Sequence, residues 1–149
     1  MKNAAASQER SRDRLSRTPL LRLVEKPPAQ VHREVLDGLD YQDLVSFQET
    51  TGLPQKDLFR VIDLPSATAT RRKRAGRLHP RESDRLSRVA RIVGRSEELF
   101  GGDLEKAVVW LQRPQRALAG ETPLSFLATD AGANEVEDLI GRLIDGSVA

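Results

Sequence analysis

The sequence predicts an all-α protein, and three observations carry that expectation. Apolar residues recur at helical spacing in two long stretches, Leu86, Val89, Ala90 and Val93, and then Val136, Leu139, Ile140, Leu143 and Ile144. No stretch alternates apolar and polar residues at period two, so strands are not expected. Pro and Gly fall between the apolar repeats, at Gly38, Gly52, Pro54, Pro65, Gly76, Pro80, Pro114 and Pro123, and cut the chain into short helices.

Residues 1–29 read as a flexible arm of Ala, Ser, Gln and Arg without sustained periodicity, ending in Pro27-Pro28. One apolar cluster, Leu20-Leu21-Arg22-Leu23-Val24, interrupts it. That cluster is either a docking segment or a locally sticky stretch of tail. Val31, Val35 and Leu39 then share a helical face, closed by Gly38 and Asp40. Leu44, Val45 and Phe47 mark a second short helix, stopped by Thr51-Gly52. Pro54 stands at a plausible first helical position before Leu58, Phe59, Val61 and Ile62. Ser66 is placed to cap the next helix, which Gly76 ends. His79-Pro80 opens the long stretch ending near Val93. Leu104, Ala107, Val108 and Leu111 share a face beside Trp110, which is read as core. Thr122-Pro123 is a cap with Pro at the first helical position, followed by inward Leu124 and Leu127. Gly132 reads as a break, and Asn134 with Glu137 as the capping box of the final helix.

A chain of 149 residues holds one domain or two small ones. Aromatics make up only 4%, so the core rests on Leu, Val, Ile and Ala. The absence of Cys excludes disulfides, thiolate catalysis and Cys-based zinc sites. No segment is long and apolar enough to span a bilayer, and the polar start has no signal-like apolar run, which together suggest a cytoplasmic protein. The net charge of +2 conceals a strong asymmetry. Arg60 to Arg95 is rich in arginine, whereas the chain after Arg95 is dominated by Asp and Glu. A basic middle and an acidic end suggest two different partners.

Catalysis is not expected. His32 and His79 are the only histidines, and no phosphate loop, His-Glu metal spacing or nucleophile context is present. Adjacent carboxylates such as Glu97-Glu98 point in different directions on a helix. No cofactor is implied.

The basic middle fits a helix-turn-helix. The first helix spans Gln55 to Val61, the turn is Ile62-Asp63-Leu64-Pro65, and the reading helix spans Ser66 to Arg74. In this plan the second helix enters the major groove. Ser66, Thr68 and Thr70 come first, where small polar residues let a helix approach base edges. Arg71, Arg72, Lys73, Arg74 and Arg77 follow, where they can reach phosphates. RNA suits the chain less well, since there is no strand platform and no interleaved aromatic pair for stacking. Spanning two half-sites about one helical turn apart favours a homodimer.

The last third carries the most specific pattern: Trp110-Leu111, Pro114, Leu118, Gly120-Glu-Thr122-Pro123-Leu124, Leu127, Gly132, and Val136 to Gly146. This order of Trp, Pro and Gly resembles the toxin-binding domain of the Xre/MbcA/ParS antitoxin family. The basic middle resembles the family's Xre-type helix-turn-helix, through Thr68 to Arg72, Gly76-Arg77-Leu78 and Glu82 to Leu86. Two departures stand out: Asp63 where the family turn usually carries Gly, and His79 where Ser or Thr usually caps the next helix. Asp tolerates the left-handed conformation better than most residues.

The resemblance implies an arm over 1–29, an Xre-like helix-turn-helix domain over 30–95 and a small α-helical toxin-binding domain over 96–149. It implies an antitoxin that occludes the active site of an adjacently encoded toxin and represses its own operon at operator DNA. Where that toxin carries a RES domain, it depletes NAD. The expected toxin-facing residues are Glu135, Asp138, Arg142 and Asp145 on the last helix, with Gly146, Ser147, Val148 and Ala149 as the inserted chain end. The alternative is a stand-alone dimeric helix-turn-helix regulator whose acidic module only dimerises. In that case deleting Ser147 to Ala149 changes nothing measurable.

Overall fold

In the computed structural model, which describes residues 5–6 and 18–146, nine helices and no strand are found among the described residues. They are α1 (Pro19–Arg22), α2 (Pro28–Asp37), α3 (Tyr41–Thr51), α4 (Gln55–Val61), α5 (Ser66–Ala75), α6 (Pro80–Leu99), α7 (Leu104–Leu111), α8 (Pro123–Phe126) and α9 (Asp130–Ile144). Single 3₁₀ turns follow α1 at Leu23–Glu25 and precede α8 at Arg116–Leu118. None of these helices is long and apolar enough to cross a membrane.

The 20-residue α6 is the axis of the molecule. Leu86, Val89, Ala90, Ile92 and Val93 are all fully buried, because α1 and α2 cover one side of the helix while α7 and α9 cover another. A single apolar core therefore runs from Leu20 to Ile140. The boundary expected between Arg95 and Ser96 falls inside α6, where both halves share that helix. A continuous helix through one shared core leaves no linker at this point.

The expectation of a flexible arm over residues 1–29 is corrected for its second part. Thr18 is fully buried, with its hydroxyl 2.7 Å from that of Thr50 on α3. Leu20, Leu21 and Leu23 are buried in the core against α3 and α6. The Lys26 ammonium, 2.8 Å from Glu34, ties the end of this segment to α2 and holds the Glu34 carboxyl below the usual range. Five apolar-rich residues are too few to display a helical period, so their spacing alone did not reveal the docking.

Helix ends follow their local chemistry. Gly38 has a φ of 87°, and a Cβ there would lie 2.3 Å from the Leu78 carbonyl oxygen, so only glycine lets the two loops meet. At that meeting Leu78 N–H donates to Leu39 and Tyr41 N–H to Gly76, at 2.8 and 3.0 Å. The α9 boundary departs from expectation. Its cap is Thr129, whose hydroxyl accepts from Gly132 N–H at 3.0 Å, and the helix starts at Asp130, so Asn134 and Glu137 lie within it. Gly132 is not a break. A Cβ there would stand 2.0 Å from the Phe126 carbonyl oxygen, so glycine permits the close approach of α8 to α9.

At the C-terminal end of α6, Glu97 is buried. Burial and the neighbouring Asp103 push its carboxyl from 4.5 up to about 7. The unfolded chain releases this proton near 4.5 and the folded chain near 7, so the contribution is full below 4.5 and is lost as pH rises to about 7. That loss amounts to up to about 3 kcal/mol. Glu97→Gln should therefore raise the melting temperature at pH 8 and flatten this part of the stability–pH curve. Urea titrations at pH 5 and pH 8 check it.

Candidate functional site

The helix-turn-helix elements lie where the sequence placed them. α4 spans Gln55–Val61, residues 62–65 turn, and α5 begins at Ser66. Asp63 adopts φ 55°, the left-handed conformation that the turn requires. Leu64 N–H donates to Phe59 and Asp63 N–H to Arg60, at 2.8 and 3.2 Å, which closes α4 with the paired bonds of a Schellman end. Pro65 then sets the entry to α5, and Gly76 closes it at φ 77°.

On α5 only Ala69 is buried. With 100° per residue, Ala67, Arg71 and Arg74 stand opposite Ala69 and face outward. Ser66, Thr70, Arg71, Lys73 and Arg74 are exposed, and Thr68 is half-buried. The Thr70 hydroxyl donates to the Ser66 carbonyl at 3.1 Å, and Arg71 donates to the Thr68 hydroxyl at 3.3 Å. Among the described residues, Arg71, Lys73 and Arg74 make no ion pair.

Two arginines of the expected phosphate-reaching set are engaged by partners within the chain, Arg72 in an enclosed site and Arg77 at the surface. Arg72 Nε donates to both carboxylate oxygens of Glu82, at 3.1 and 2.9 Å, and its Nη2 lies 3.0 Å from His79 Nδ1. Arg77 Nη1 donates to the Asp37 and Gly38 carbonyls at 3.1 and 3.2 Å, which pins the end of α2. Composition cannot separate these arginines from those facing solvent, because the partners lie 10 and about 40 residues away. Arg81 was not singled out from the sequence. It is exposed beside the His79 cap, again without an ion pair among the described residues.

The segregated charge is partly satisfied within the chain. Arg88 on α6 is only 8% exposed and lies 3.0 Å from Asp130 on α9. Arg91 lies 3.5 Å from Glu137 on the same helix. The basic middle and the acidic end are therefore each other's partners along this seam, while on α5 Arg71, Lys73 and Arg74 keep no ion pair among the described residues.

The second face is the outer side of α9. Val136, Leu139 and Ile140 are buried. Glu135, Asp138, Arg142 and Asp145 lie within one exposed sector of the helix. Gly146, also exposed, adopts φ 68° just beyond it. Ser147, Val148 and Ala149 lie outside the described residues. Trp110 is half-buried rather than fully enclosed, its ring 6.4 Å from that of Phe100 at the end of α6. Among the described residues, no cluster of His, Asp and Glu is arranged to hold a metal ion.

Comparison with known proteins matches both halves. The family model of the antitoxin Xre-like helix-turn-helix domain covers residues 30–91, and that of the antitoxin Xre/MbcA/ParS C-terminal toxin-binding domain covers residues 84–146. Their overlap lies within α6. The antitoxin Xre of Yersinia enterocolitica is 42% identical over 110 residues, which is 73% of this chain and 74% of that protein. The antitoxin Xre of Photorhabdus laumondii is 33% identical over 114 residues, or 76% of this chain and 77% of that one. A Sphingobium protein named Prs ADP-ribosylating antitoxin is 27% identical over 121 residues, or 75% and 76% of the two chains. An all-α chain with this helix-turn-helix, this capped C-terminal module and these relatives belongs to the Xre/MbcA/ParS antitoxin family.

Proposed function

We propose that the chain neutralises a RES-domain toxin that consumes NAD and represses its own operon through α5. The observation that carries the DNA half is the exposure of Arg71, Lys73 and Arg74 on α5 without carboxylate partners among the described residues, while Arg72, Arg77, Arg85, Arg88, Arg91 and Arg95 are all engaged. Free guanidinium and ammonium groups beside small polar residues suit a helix seated in the major groove. A homodimer would place two such helices on successive turns of the duplex.

The toxin half rests on family membership and on the exposed charged sector of α9. The chain end from Gly146 to Ala149 would enter the toxin's site, with Glu135, Asp138, Arg142 and Asp145 alongside. The name of the Sphingobium relative refers to ADP-ribosylation, a chemistry that takes its ADP-ribose from NAD. A partner that consumes NAD accords with both that name and the RES resemblance. In this reading the chain works by binding and occlusion.

The DNA half is tested by replacing Arg71, Lys73 and Arg74 with alanine and titrating promoter DNA against salt. Each lost phosphate contact should reduce the slope of log affinity against log salt by ~0.9, so the triple variant should lose nearly three units. Arg72 is left intact, because removing it would strand the buried Glu82 carboxylate. An unchanged slope and affinity would remove α5 from the DNA interface.

A further inference from the structure

α5 lacks the apolar stripe by which helices are normally seated. Ala69 is its only buried residue, and one methyl group cannot fix a helix against rotation about its own axis. Its end is anchored by the backbone pairing of Gly76 and Leu78 with Tyr41 and Leu39. Among the described residues, its middle is held by the polar contacts of one side chain, Arg72, with Glu82 and His79.

The contact with Glu82 is enclosed. The Glu82 side chain is 8% exposed and that of Arg72 16%. The same carboxylate accepts the backbone N–H of His79 at 2.9 Å, which closes the N-terminus of α6. Arg72 also reaches His79 Nδ1 at 3.0 Å. One carboxylate thus joins the middle of α5 to the start of the central helix. Charge-assisted bonds in an enclosed site have fixed directions, and a helix held by one of them has a fixed rotation.

We infer that Glu82 is the positioning residue of the DNA-reading helix: through Arg72 it sets the rotation of α5 and so the presentation of Ser66, Thr68 and Thr70 to base edges. The inference rests on the proposed DNA reading. It assigns sequence discrimination to a side chain that touches no DNA, and it makes Arg72 an internal strut rather than a phosphate contact. Without the strut, the outward cations of α5 still meet phosphates, but the small polar residues lose their register on the bases.

The test uses the full chain with two variants, Glu82→Gln and Arg72→Lys, at a temperature where circular dichroism shows both folded. The probes are a duplex from the chain's own promoter and a scrambled duplex of equal length. Both variants should lose discrimination between the duplexes by roughly ten- to a hundredfold, the factor for one charge-assisted hydrogen bond. Binding to the scrambled duplex should persist, with a salt slope no shallower than that of the wild type. Amide hydrogen exchange in the free protein should speed up across α5 and stay unchanged across α9. Retained discrimination in either variant would overturn the inference, as would unchanged exchange in α5. A wild-type protein that binds neither duplex would sink the DNA reading itself, and the exchange measurement would then decide the strut alone. If Arg72→Lys lowered binding to both duplexes equally, Arg72 would be an ordinary phosphate contact.

Discussion

Replacing Leu20 and Leu23 together with alanine should remove most of the protein's stability. Leu20 is 1% exposed and Leu23 6%, and both belong to the continuous core around α6. A buried Leu→Ala change costs about 2–5 kcal/mol, from lost transfer free energy and the cavity left behind. Neighbouring changes do not add strictly, but a combined loss of about 4–8 kcal/mol is expected. Against a typical total of about 5–15 kcal/mol, that leaves a marginal or unfolded protein. In thermal melts the midpoint should fall by roughly 8–32 °C, at about 2–4 °C per kcal/mol for a chain of this size. Val24 in the same segment is 46% exposed and serves as the control. Val24→Ala should shift stability by no more than about 0.5 kcal/mol. A double variant that melts with the control would mean that the segment before α2 contributes nothing to the core.

The matched helix-turn-helix domain begins at residue 30, so Thr18 to Lys26 lies outside both family models and yet completes this core. A fragment starting at α2 would expose the surfaces of α3 and α6 that Leu20, Leu21 and Leu23 cover. Stability measured on such a fragment would not represent the chain.

Where backbone chemistry is local, the sequence showed the fold clearly. Pro65, Gly76 and the Thr122-Pro123 pair each act within a turn, and α5 and α8 begin and end beside them. Asp63 was legible through the family turn, which usually carries Gly there, and it does adopt the left-handed conformation. Gly132 was not legible, because a glycine that ends a helix and one that admits a neighbouring carbonyl look alike in one dimension. The candidate site shows the same division. Arg71 and Arg74 are exposed, whereas Arg72 and Arg77 are taken by partners that only the folded chain brings near. The acids of α9 likewise divide by helical position: Glu137 turns toward Arg91, and Glu135 and Asp138 face outward.

That division gives the second large effect, on neutralisation of the toxin. Glu135 and Asp138 are exposed on α9 and lie outside the buried set Val136, Leu139 and Ile140. Reversing both charges, with Glu135→Arg and Asp138→Arg, should leave the melting temperature nearly unchanged, since exposed positions away from caps and cores have small effects. At a desolvated interface the same reversal sets like charges or unpaired groups against the partner, and each such group typically costs 2–5 kcal/mol. Two of them weaken a complex by several orders of magnitude.

The most direct measurement is co-expression of the proposed RES-domain toxin with three forms of the protein: intact, carrying the two α9 reversals, and lacking Ser147 to Ala149. Growth and cellular NAD are the readouts. The account predicts full protection by the intact chain, and growth arrest with falling NAD for both altered forms, each of which remains folded by circular dichroism. Equal protection by all three would contradict it, because toxin neutralisation would then run through neither the outer face of α9 nor the chain end.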